Sequence, residues 1–138
     1  MPDPKRDPFS YAIVRVVPRV ERGEQINAGV ILFCRQRDFL AGLVALDEAR
    51  LRALDADVSV QQIRESLEAI LRVAEGDPAA GPIASLPSSE RFGWLVAPSS
   101  TVIQTSEVHT GLTADPRKTL DSLFGELVEP LERAQPPG

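Results

Sequence analysis

Five polar residues stand where neither helix nor strand formation asks for them: Arg15, Asn27, Arg91, Gln104 and His109. The two arginines bring positive charge and planar donor forks. Asn27 and Gln104 bring amides that both donate and accept. His109 is the sole histidine, the side chain type that switches its charge near neutral pH without help. Gathered in one pocket, these ligand-binding candidates would suit a phosphate or a carboxylate. His109 would then bind the anion or, as the candidate catalytic group, move a proton. Their spacing is irregular, so only the fold can gather them.

Each has a plain structural explanation as well. Arg15 falls on an apolar strand face, where an unpaired charge is costly, and would meet a carboxylate such as Glu24. Arg91, beside Phe92 and Trp94, would form an internal salt bridge. His109 would fix the backbone of a polar loop over residues 106–113. Asn27 and Gly29 interrupt an otherwise apolar strand, which marks a bulge, a buried hydrogen bond or a ligand approaching the backbone. Phe92 and Trp94 read as core or subunit-contact aromatics.

Other chemistries lack their residues. Cys34 could pair with His109 as a nucleophile, but it closes an apolar strand and reads as a small core residue. One cysteine and one histidine cannot form a disulfide or supply the usual four ligands of structural zinc, so no metal is expected. The Gly-x-Ser-x-Gly elbow, the P-loop and the dinucleotide-binding glycine pattern are all missing, and no cofactor is implied.

The elements that must position these residues are legible from periodicity. Residues 9–17, 25–34 and 39–46 read as three strands joined by the short polar turns 21–24 and 35–38, hence an antiparallel meander. All three are apolar on both faces, so helices or a second subunit must cover both. Asp47 can cap a short helix through Leu54. Ser59 and Gln62 form a capping box for a helix ending near Gly76, with Val60, Ile63, Leu67, Ile70, Leu71 and Ala74 on one stripe. Residues 77–90 read as a surface connection, and 92–96 and 101–106 as short strands. Asp115-Pro116 starts a last helix, which Pro130 ends or kinks.

The 138 residues fit one domain with one core, from residue 9 to 133, behind a mobile lead-in at 1–8 and before a frayed tail at 134–138. Net charge is −5, with +1 in residues 1–50 and −6 in the remainder, which counts against a nucleic-acid partner. No apolar run approaches a membrane span, so no membrane association is expected. The first residues lack the apolar segment of a signal peptide, which gives a cytoplasmic location by default. The fold expected is α+β: a sheet of four or five strands packed with two or three helices.

Three blocks carry a resemblance. They are Tyr11-Ala-Ile-Val-Arg-Val-Val-Pro-Arg-Val-Glu-Arg-Gly-Glu24 with Asn27-Ala-Gly-Val-Ile-Leu-Phe-Cys34; Glu90-Arg-Phe-Gly-Trp-Leu-Val-Ala-Pro98; and Ser100-Thr-Val-Ile-Gln104 with Val108-His-Thr-Gly-Leu112. In this order they resemble the bacterial domain-of-unknown-function family numbered three-zero-three-seven. The resemblance implies no established activity. It implies a partner or accessory role beside a HipA-like kinase. The function expected is therefore a non-catalytic binding or accessory module, open to self-association. The alternative is a small enzyme or anion-ligand binder using the Arg/Gln/His set.

Overall fold

In the computed structural model, residues 4–129 are described. Strands β1 (Asp7–Val16), β2 (Ile26–Cys34) and β3 (Phe39–Val44) form the antiparallel meander that the alternating apolar runs require. The polar turn before β3 is a short 3-10 segment, Arg35–Arg37, closed by Asp38 in the left-handed region. Strands β4 (Ile103–Thr105) and β5 (His109–Thr113) lie end to end along the free side of β1. The sheet thus runs β3-β2-β1, with β4 and β5 sharing the fourth position.

Helices close both faces. Helix α1 (Glu48–Leu54), α2 (Val60–Glu75) and α3 (Ser88–Leu95) build one core with Val14, Val16, Ile31 and Phe33. Helix α4 (Pro116–Leu127) covers β2 and β3 on the opposite face, over Val30, Leu32 and Cys34. Cys34 is wholly buried there, as a core thiol. The caps act as their residue types dictate. The side chains of Asp47, Ser59 and Asp115 accept from Arg50, Gln62 and Lys118 amides, each satisfying an otherwise unpaired first-turn donor. Gly76 ends α2 at φ 74°, where any other residue would carry the steric cost of its Cβ.

Two stretches differ from the sequence reading. Of residues 92–96, expected as a strand, the first four belong to α3 and Val96 is its C-terminal cap. Phe92 and Leu95, three apart, are buried, while Trp94 between them is 53% exposed, so the working period is that of a helix. The added helix raises the total to four among the described residues. The polar run 106–113 is not all loop, because its second half is β5, a strand on the edge of the sheet. Gly111 lets it lie there, since a Cβ would stand 2.7 Å from the Phe9 ring across the pair. At the start of the chain, β1 begins at Asp7, whose carboxylate accepts from Arg37 at 2.9 Å. Pro130 and the tail 134–138 lie outside the described residues, as do residues 1–3.

Candidate functional site

Strand alternation puts Tyr11, Ile13 and Arg15 of β1 on the face that α4 covers only over β2 and β3. At Arg15 the ladder slips. Val14 faces Gly29, but Arg15 faces Asn27, so Ala28 is the extra residue of a bulge in β2. Both irregular residues have a use. Gly29 is squeezed between its neighbours, where a Cβ would come within 2.8 Å of the Leu43 carbonyl and of Val44. Asn27 donates its side-chain amide to the Leu127 carbonyl at 2.9 Å, tying β2 to the C-terminal end of α4.

On the other side of Arg15 the partner is Gln104 of β4. Directly opposed residues share a face, so Asn27, Arg15 and Gln104 form one row across three adjacent strands. The Gln104 amide donates to the Thr101 carbonyl at 2.9 Å. Among the described residues Arg15 meets no carboxylate. Its Nε is buried and without a hydrogen-bond partner among the described residues. Glu24 is taken by Arg22: their hydrogen bond and opposite charges raise the Arg22 guanidinium above its ordinary value.

His109 lies on the same face, opposite Tyr11, and the two rings meet at 5.2 Å between centroids, tilted by 30°. Tyr11 is four residues from Arg15, so His109 sits roughly 13 Å along the strand from the row. Arg91 belongs to the other layer. From α3 it donates to the Leu86 carbonyl at 2.7 Å and to the Ala74 carbonyl at 3.3 Å, binding the last turn of α2. Backbone carbonyls, rather than a salt bridge, satisfy its terminal nitrogens, while its Nε stays buried and unbonded. The fold therefore brings Arg15, Asn27 and Gln104 together, sets His109 apart on the same face, and puts Arg91 on the opposite one.

The residues 11–128 match the model of the family described as "Protein of unknown function (DUF3037)". The chain belongs to the DUF3037 family. No curated protein and no solved structure matches it. Among the described residues of this DUF3037 chain, no three His, Cys, Asp or Glu side chains gather as a metal site, and no helix is long and apolar enough to cross a membrane.

One feature escaped the sequence reading. A groove of about 570 Å³ opens beside β4, with Ile70 and Val73 of α2, Trp94 and Leu95 of α3, and Ile103 among its lining residues. Its volume is that of a ligand cleft, and Trp94 stands half-exposed on its wall. Reading 92–96 as a strand hid this groove, because it removed the helix that forms one side. The backbone of β4 completes the feature. Ser106 N–H bonds the Ile13 carbonyl, and Val17 N–H bonds the Val102 carbonyl. Residues 102, 104 and 106 therefore face β1, and Ile103 and Thr105 turn their N–H and C=O groups outward.

Proposed function

We propose that this DUF3037 chain is a non-catalytic binding module that takes an extended segment of a partner protein alongside β4 and into the adjacent groove. The observation that carries the reading is Trp94, half-exposed on an apolar groove wall next to an edge strand whose Thr105 turns its backbone N–H and C=O outward, while the outward Ile103 carbonyl accepts from the Thr101 hydroxyl. Strand addition draws its affinity from main-chain bonds and its specificity from pockets for alternate side chains, and both parts are present here. Arg72 is the one charged residue in the groove lining, and it already faces Glu68 at 3.6 Å, so the segment that fits is apolar and uncharged at its centre. The edge itself lacks the charges that usually guard exposed strands: β4 reads Ile-Gln-Thr. The HipA-like kinase implied by the family resemblance is the first candidate to donate such a segment.

The rival reading is a small enzyme or anion binder using Arg15, Arg91, Gln104 and His109 together. It requires one concave site. Arg91 is committed to the Ala74 carbonyl of α2 and the Leu86 carbonyl of the connection before α3, across the sheet from the others, which favours the module.

Trp94 is the single tryptophan, so its emission reports occupancy of the groove directly. Displayed peptide libraries selected on the protein should enrich alternating apolar sequences, and the synthetic peptides should shift Trp94 emission to the blue. Thr105→Pro, which removes an outward N–H while keeping the bonds to β1, should weaken binding at least about tenfold, the loss of one good hydrogen bond. Trp94→Ala should do the same, read by calorimetry. Peptides that bind both variants as well as the parent would sink the proposal. A blue shift that grows with protein concentration alone would make a second copy of the chain the occupant.

A further inference from the structure

We infer that Arg15 is the centre of a binding site for a carboxylate group, flanked by the amides of Asn27 and Gln104. Arg15 and Asn27 lie on the sheet face opposite the Trp94 groove, and Gln104 of β4 is shared with the lining of that groove. A strand residue with apolar neighbours on both sides does not keep a guanidinium without cause. Here the usual cause is missing. Glu24 is held by Arg22, and no ion pair involves Arg15 among the described residues. Its Nε is buried with no acceptor among the described residues, while the side chain as a whole is only half-buried. The bulge at Ala28 occurs at this position, as bulges do where a strand re-aims a side chain.

The chemistry of the surroundings selects the anion. One guanidinium offers one positive charge and a planar fork that matches a carboxylate in a two-bond geometry. Neither a second cation nor a helix N-terminus joins it in the row. On the contrary, the C-terminal end of α4 is held against Asn27 through the Leu127 carbonyl, and it brings partial negative charge. The single guanidinium charge leaves a phosphate dianion half-neutralised and matches a monoanionic carboxylate, and the negative helix end disfavours the dianion more. Asn27 spends one amide N–H on Leu127, which leaves its second for a ligand oxygen. Gln104 would exchange its bond to the Thr101 carbonyl for one to the ligand. The carboxylate could belong to a free organic acid or to the C-terminus of a peptide, and the same three side chains would read either.

Nitrogen-edited NMR tests this on the whole chain. Succinate and an N-acetylated tripeptide with a free C-terminus are titrated separately at constant ionic strength, with inorganic phosphate in parallel. The expected result is a saturable shift of the Arg15 Nε–H signal and of the Asn27 and Gln104 side-chain amides with at least one carboxylate, and none with phosphate. Whichever carboxylate saturates first identifies the source. Arg15→Lys keeps the charge but loses the fork, and should weaken the response at least about tenfold. Gln104→Ala, at an edge strand, should weaken it several-fold with an unchanged melting temperature. Shifts that fail to saturate, a phosphate response as strong as the carboxylate one, or amide shifts that persist in Arg15→Gln would each overturn the proposal.

Discussion

Arg91 and Arg15 make a controlled pair. Both stand among apolar residues, and both leave a buried Nε without a partner among the described residues. They differ in what the terminal nitrogens meet. Arg91 lies between two helical segments whose ends leave carbonyls unbonded, and it takes two of them. Arg15 lies in the middle of a sheet, where ladder bonds already consume the neighbouring carbonyls, and it takes none among the described residues. An arginine at a helix end can be structural mortar without any carboxylate. An arginine inside a strand has no such supply, and its guanidinium stays available to something from outside.

Substitution should widen the contrast. Arg91→Ala removes both carbonyl bonds and the packing of the aliphatic stem, so unfolding free energy should fall by about 3 kcal/mol, read from the denaturant midpoint at unchanged slope. A loss below about 1 kcal/mol would mean that α2 and the segment after it hold together without the arginine.

Asn27→Ala tests the residue that links the Arg15 row to α4. It leaves the Leu127 carbonyl unpaired and should lower stability by about 1–3 kcal/mol. The loosened helix end should appear as faster amide exchange in the last turn of α4. An unchanged midpoint would move Asn27 from scaffold to ligand contact alone.

Arg15→Gln is the smallest expected effect and the most telling. Removing an unpaired, half-buried charge should leave stability within about 0.5 kcal/mol of the parent, or raise it. A loss as large as that of Arg91→Ala would show that Arg15 is mortar too, and would dissolve the distinction between the two residues.

Much of this architecture was legible in the chain because it is local. Asp47, Ser59, Gly76 and the Asp115-Pro116 pair fix helix ends by bonds spanning only a few residues. Asn27 and Gly29 marked a bulge, a buried hydrogen bond or an approaching ligand, and the first two are found there. What stayed hidden depends on distant partners. Residues 92–96 are few and apolar, and such a run has no preferred period until the neighbours that bury it are known. Residues 109–113 look polar because an edge strand with one open side resembles a loop in composition. The row of Asn27, Arg15 and Gln104 joins residues 12 and 89 positions apart in the chain, and no motif records such a meeting.

The position of β1 has a consequence for how the chain is made. It leads the sequence, yet one of its edges is completed only by β4, β5 and Ser106. The Ser106 hydroxyl accepts from the Ile13 amide across 93 residues and takes the place of a ladder bond. At ribosomal speeds of roughly 5–20 residues per second, that edge waits about 5–20 s for its partners. During that time the meander and α2 can already have formed, with an apolar strand open at the side. The nascent protein is most exposed to mispairing in this interval, well before any of its binding surfaces exists.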